Sequence, residues 1–175
     1  MIPGNKLCIA LSPQDKAVMK KILQASPLTI GTADADDLHV TLLYADKPLE
    51  GFDSDDSRHV CPISGAYIVY DSALDMRNLI LELDAPTLKA RREEVLHKYG
   101  VRSLKTFSPR ITLLYDMPPY NPKIKWYINQ LINSFNSEYV GYCMTLQGEY
   151  IDDTDNSMRD PSDLTVLHAV QKMSI

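Results

Sequence analysis

The side chains best suited to chemistry in this chain occur in two copies of one short segment. Residues 39–44 read His-Val-Thr-Leu-Leu-Tyr, and residues 110–115 read Arg-Ile-Thr-Leu-Leu-Tyr. Histidine can accept or release a proton near neutral pH, and a threonine hydroxyl can donate a hydrogen bond to an anionic oxygen. Arginine can hold a phosphate group with two parallel hydrogen bonds. The repeated segment therefore predicts a site for a phosphate group.

Both copies have the pattern of a strand, which would orient each polar pair. Residues i and i+2 of a strand point to the same face, roughly 7 Å apart. His39 and Thr41 would therefore share a face, with Tyr44 on the reverse face. Arg110 and Thr112 would share a face in the same way in the second copy. Two such strands side by side would line one cleft. A strand with a lone histidine beside a threonine is usually structural, and the duplication favours a functional site over that alternative.

The rest of the chain alternates between strand and helix patterns. The predicted strands are 6–11, 38–44, 61–70, 78–83, 110–115, 139–150 and 164–173. The predicted helices start after Ser12, at Asp84 or Ala85, and at Asn121, and Gly100 is predicted to end the second helix. We predict an α+β fold with two lobes, each an antiparallel sheet, flanking a central cleft with the helices outside. No linker rich in proline, glycine or serine divides the chain, so residues 1–175 are predicted to form a single domain.

The composition narrows the class of partner. The net charge is −5 and the pI is about 5.3. This argues against binding along long DNA or RNA, which needs a broad basic surface. A small phosphorylated ligand remains compatible, because a few local donors suffice to hold it. The sequence leaves the oligomeric state open.

The predicted location is the cytoplasm. No apolar run approaches the roughly 20 residues of a membrane span, so no membrane partner is expected. The first residues lack the apolar core of a signal peptide. Cys8, Cys61 and Cys143 are far apart in the sequence and are predicted to be thiols in a reducing compartment.

Three further residues are candidates for ligand contacts. Glu149 and Tyr150, in a late predicted strand, are predicted to contact a nucleobase, the tyrosine by stacking. His168, inside the final predicted strand, is a weaker candidate for the cleft. His59 is predicted to lie in a solvated loop, and Lys89, Arg91 and Arg92 are predicted to form a solvated helix face. No pair of histidine, cysteine or carboxylate residues has the spacing of a metal site, so we predict neither a metal nor another cofactor.

The repeated segment and the order of elements resemble the two-histidine (LigT-like) phosphoesterases, which carry two His-x-Thr/Ser motifs. The resemblance covers most of the chain, including a hairpin, a helix opened by Ala85-Pro86, and a Phe-x-Pro segment before the second motif. The chain length, the motif spacing and the segment 148–150 are similar to small phage enzymes that destroy cyclic nucleotide messengers in anti-CBASS defence. The host cytoplasm would then be the site of action.

This resemblance implies a bilobal fold and a metal-independent cleavage of cyclic or short oligonucleotides. In the family, one histidine takes a proton from the nucleophile, the other protonates the leaving oxygen, and the two hydroxyls hold the phosphate. The first motif would match His39 and Thr41, and Thr112 would be the second hydroxyl. Arg110 departs from the family, which has histidine there. Arginine stays protonated throughout the physiological range and cannot cycle a proton.

Three explanations of Arg110 are open. The residue is an engineered or accidental substitution, the protein is a natural binder that sequesters its nucleotide, or the enzyme needs only one histidine while Arg110 stabilises the charged transition state. The resulting predictions are an impaired phosphodiesterase and, as the alternative, a non-catalytic nucleotide-binding protein.

Overall fold

The computed structural model describes residues 2–25, 37–115, 122–153, 160 and 164–167. The strands are β1 (Lys6–Leu11), β2 (His39–Tyr44), β3 (His59–Asp71), β4 (Met76–Leu83), β5 (Arg110–Leu114), β6 (Cys143–Ile151) and β7 (Thr165–Leu167). The helices are α1 (Pro13–Ala25), α2 (Pro86–Tyr99) and α3 (Pro122–Ser134), and a π-helical turn, Phe135–Tyr139, follows α3. No helix among these residues is long and apolar enough to cross a membrane.

The described strands form one antiparallel path in the order β2-β1-β6-β3-β4-β5, and β7 pairs with β3. The long strand β3 connects two halves of this path. Its first residues pair with β6, whereas its later residues pair with β4 and β7. The α+β class is therefore confirmed, and the division into two lobes with separate sheets stays a prediction. The path places β2 and β5, which carry the repeated segments, at its two ends.

Local sequence signals explain where the helices begin and end. The Ser12 hydroxyl accepts a hydrogen bond from the Asp15 backbone at 3.3 Å, so Ser12 caps α1 as predicted. Helix α2 begins at Pro86 and ends at Tyr99, and Gly100 follows as its C-cap with a φ of 58°, the left-handed conformation that glycine adopts easily. Both signals place the helix ends close to their predicted positions.

One polar residue lies in an unexpected place. His59 was predicted in a solvated loop, but that prediction is wrong: it begins β3, is buried, and its Nδ1 lies 3.0 Å from the Thr87 hydroxyl. The neighbouring hydroxyl compensates for the burial of the ring. His168 and the predicted strand beyond Leu167 lie outside the described residues.

Candidate functional site

The two ends of the strand path contact each other, so β2 and β5 enclose a cavity between them. The cavity has a volume of about 50 Å³. This is small beside the roughly 300–1,000 Å³ of pockets that enclose a drug-sized ligand. Its lining includes both motif pairs: His39, Thr41, Arg110 and Thr112. The space suits a phosphate group, whose attached nucleosides would lie outside it.

Strand β2 presents His39 and Thr41 because strand side chains alternate between faces. Val40 and Leu42, on the opposite face, are fully buried in the hydrophobic core and fix the register of the strand. His39 and Thr41 are only partly buried. The predicted orientation of this pair is therefore present.

The orientation of the His39 ring identifies its reactive nitrogen. Nδ1 lies 2.6 Å from the Asp37 carbonyl oxygen, which can only accept, so Nδ1 donates and Nε2 keeps its lone pair. The Tyr150 ring packs edge-on at 6.4 Å between ring centroids. Burial lowers the pKa of His39 below its ordinary value, which favours the neutral ring at pH 7. The geometry therefore suits a general base at Nε2.

Strand β5 presents Arg110 and Thr112 in a more enclosed setting. Arg110 is 9% exposed and Thr112 is 8% exposed. Burial lowers the pKa of Arg110 from its ordinary value, although an arginine remains protonated at neutral pH. The second motif therefore supplies a buried positive charge and a hydroxyl.

A second cation lines the cavity from the loop before β5. The Lys105 ammonium lies 4.0 Å from the centroid of the Tyr44 ring, and both residues line the cavity. Burial lowers the pKa of Lys105. No carboxylate belongs to the described lining residues. The Asp160 carboxylate accepts a hydrogen bond from the backbone of Thr106, a lining residue, at 2.9 Å and partly offsets the two cations. Two cations against one nearby carboxylate leave an excess of positive charge, which favours an anion.

Lys105 and Tyr44 were not predicted as site residues. Tyr44 was assigned to the reverse face because strict alternation places it there. The sequence signal for Lys105 was its position in the loop that leads into the second repeat, but no spacing rule relates a loop residue to a strand pair.

The two predicted base-contacting residues have different positions. Glu149 does not line the cavity: its side chain is fully buried and accepts hydrogen bonds from Arg91 Nε at 2.8 Å and from the Asp55 backbone at 2.8 Å. Its predicted contact with a base has no support from this placement, because the carboxylate already holds α2 and a loop together. Tyr150 is 38% exposed beside His39, where it could contact a ligand at the edge of the cavity.

The predicted solvated face of α2 is only partly present: Lys89 is exposed, but the prediction is wrong for Arg91 and Arg92. The Arg91 guanidinium binds the buried Glu149, and this hydrogen bond raises the pKa of Arg91. Arg92 is buried, and its guanidinium lies 5.4 Å from the ring centroid of Phe107, a cavity residue.

One group of side chains in the described residues could hold a metal. The donor atoms of Cys8, His39 and Asp152 all lie within 4.8 Å of one another. Burial raises the pKa of the Cys8 thiol to about 11, so the thiol is protonated at neutral pH. The three residues are far apart in the sequence, and pairwise spacing could not have identified them.

The family of the chain follows from comparison with known proteins. The model of the family described as "Anti-CBASS protein Acb1" matches residues 7–150, a span that contains both repeated segments. The chain belongs to this family. The match confirms the predicted resemblance to proteins of anti-CBASS defence.

Solved structures are more distant. The chain is similar to Usb1 of Kluyveromyces marxianus, with 13% identity and a TM-score of 0.44, over 93% of this chain and 96% of that chain. A structure of the same yeast protein with uridine monophosphate gives 14% identity and a TM-score of 0.41, over 94% and 98% of the two chains. No curated protein matches the chain.

Proposed function

We propose that this protein is a phosphodiesterase of cyclic or short oligonucleotides, with its turnover lowered by Arg110. The observation that carries the proposal is the single small, positively charged cavity that both motif pairs line. Membership of the anti-CBASS family supports a cyclic nucleotide messenger as the ligand. The volume of the cavity supports binding by the phosphate, with the bases outside.

The proposed chemistry begins at His39. Its Nε2 takes the proton from the attacking hydroxyl, while the Asp37 carbonyl holds the ring in place. The Thr41 and Thr112 hydroxyls donate to the non-bridging phosphate oxygens. The Arg110 guanidinium stabilises the negative charge that develops on the phosphorus oxygens.

The weak step is the protonation of the leaving oxygen. In two-histidine enzymes a second histidine supplies this proton, and Arg110 cannot do so because it does not release its proton near neutral pH. General acid catalysis typically contributes about 10² to 10⁴-fold, and this contribution is the one at risk. Binding is retained, because the charge at this position is retained.

The alternative function is a nucleotide-binding protein that sequesters its ligand without cleaving it. The replacement of a proton donor by a permanent cation favours this alternative, since the cation strengthens binding and removes catalysis. One experiment separates the two functions. A panel of cyclic di- and trinucleotides is mixed with the protein in EDTA, and binding and cleavage are measured in parallel.

Three forms of the protein are compared: the unaltered chain, Arg110→His and His39→Ala. Cleavage that appears or increases in the Arg110→His form supports the impaired enzyme. Tight binding without cleavage in both the unaltered chain and the Arg110→His form supports sequestration. The absence of binding in every form contradicts a phosphate site. His97→Ala, which removes an exposed histidine from α2, is the matched control.

A further inference from the structure

A second functional feature lies directly behind His39, on the polar face of β1, β2 and β6. Cys8 of β1 pairs with Thr41 of β2 on one side and with Tyr150 of β6 on the other. His39 pairs with Ala10, two residues further along β1, and Asp152 follows the end of β6. This register brings a sulfur, an imidazole nitrogen and a carboxylate oxygen within 4.8 Å of one another.

These donors are the ones that zinc prefers. Zinc binds cysteine sulfur, histidine nitrogen and carboxylate oxygen at about 2.0–2.3 Å, and sites with three protein ligands keep a fourth position open. Donors on a tetrahedron of that size are about 3.5 Å apart, so the three side chains need to close by only about 1 Å. His39 and Asp152 are only partly buried, which leaves their side chains room to approach Cys8.

The hydrogen bond that orients the His39 ring also favours metal binding. Nδ1 donates to the Asp37 carbonyl, so Nε2 is the nitrogen that remains to bind. A backbone carbonyl behind a histidine is a common way in which proteins orient a metal-binding ring. The Tyr150 ring packs against the same imidazole.

Two features weaken the binding of a metal here, so we expect a metal to bind reversibly. Cys8 has to lose its thiol proton to the solvent when the metal binds. The Lys6 ammonium lies 3.0 Å from Asp152 Oδ2 and repels a second cation. A resident structural metal would not be expected beside this ammonium, whereas a cation that binds and leaves is compatible with it.

We infer that a zinc-class divalent cation binds between Cys8, His39 and Asp152 and occupies the Nε2 lone pair of His39. The metal site stands on this geometry alone. Its consequence, that the metal switches off cleavage by removing the general base, rests on the proposed function.

The metal site is tested with cobalt, which substitutes for zinc and reports a bound thiolate by a charge-transfer absorption band. The full chain is titrated with cobalt and then with competing zinc. We expect the band in the unaltered chain and in Cys143→Ser, which changes an exposed cysteine. Cys8→Ser should abolish the band, and Asp152→Asn should weaken cobalt binding at least about tenfold. A band that persists in Cys8→Ser, or no band at all, overturns the site.

The occupation of His39 is tested without measuring cleavage. Diethyl pyrocarbonate modifies histidine nitrogens that carry a lone pair, and mass spectrometry locates the modified residue. Zinc should protect His39 and leave His97 reactive, and Cys8→Ser should remove the protection. Equal modification of His39 with and without zinc overturns the inference. If the cyclic nucleotide panel fails while both metal tests succeed, the proposed function is wrong and the metal site stands.

Discussion

Strands β2 and β5 carry nearly the same residues but place them in different surroundings. In β2, His39 is partly buried, its Nδ1 is bound to a backbone carbonyl, and Cys8, Tyr150 and Asp152 lie nearby. In β5, all residues are buried, including Arg110. The first strand can therefore exchange a proton, whereas the second strand can only hold a charge. Under the proposed function, β2 would therefore supply the reactive group and β5 would supply a binding charge.

The largest effect is expected when the proposed general base on β2 is removed. His39→Ala, made in the Arg110→His form so that cleavage is measurable, should lower kcat by about 10² to 10⁴-fold because the general base is lost. KM should change little, since the hydroxyls and the cations remain. Single-turnover cleavage of a cyclic dinucleotide gives the measurement. A rate within about threefold of the parent form would contradict the role of His39.

The second-largest effect is expected when Arg110 of β5 is replaced by a residue that can donate a proton. Arg110→His should raise kcat by about 10²-fold, because a histidine can protonate the leaving oxygen. The affinity should fall at the same time, since a permanent charge is lost. Arg58→His, at an exposed position, is the matched control for a new histidine. An unchanged rate together with a lower affinity would favour the sequestering protein.

A smaller effect is expected when either of the two threonine hydroxyls, of Thr41 or Thr112, is removed. Thr41→Val and Thr112→Val keep the side-chain shape and remove one donor each, so each should weaken ligand binding by about tenfold. Thr112 should be the more sensitive position, because it is more deeply buried than Thr41. Titration calorimetry measures the affinities, and Thr145→Val on β6, outside the cavity, serves as the control. Wild-type affinity in both variants would exclude the hydroxyls from the site.

The smallest expected effect is the dependence on pH. Burial lowers the pKa of His39 below 6.5, so its neutral form already predominates at pH 7. For a general base, kcat/KM should change by less than about twofold between pH 7 and pH 8 and should fall as the pH decreases through the lowered pKa. A profile measured in the unaltered chain tests this, and in the Arg110→His form the rate should also fall at higher pH, because the new histidine loses the proton that it donates. A rate that rises steeply above pH 7 in both forms would assign the base to another group.

The sequence predicted the parts of the site that depend on short-range periodicity. The face shared by His39 and Thr41 follows from the two-residue repeat of a strand, and the helix ends follow from Ser12 and Gly100. The proximity of β2 and β5 was predicted only because the two strands have similar sequences. Residues joined by tertiary packing were missed or misplaced, because nothing in their local sequence records a partner far along the chain.

Two residues illustrate this limit. Glu149 resembled a ligand contact, since a carboxylate on a strand is normally exposed, but Arg91 compensates for its burial. Asp152 lies two residues beyond Tyr150, and that spacing alone would have placed it on the same face as the tyrosine. Its proximity to Cys8 and His39 depends on the pairing order of β1, β2 and β6, which periodicity does not determine.

The strand order has a consequence for ligand size. Because β2 and β5 are the two ends of one hydrogen-bonded path, the width of the gap between them depends on how the intervening strands twist and bend. The register of β3 shifts between Ile63 and Gly65, where its partner changes from β6 to β4. A substitution there touches no ligand, yet it would widen or narrow the gap. Under the proposed function, sheet curvature would then act together with the loop residues that line the cavity to limit the size of the ligand.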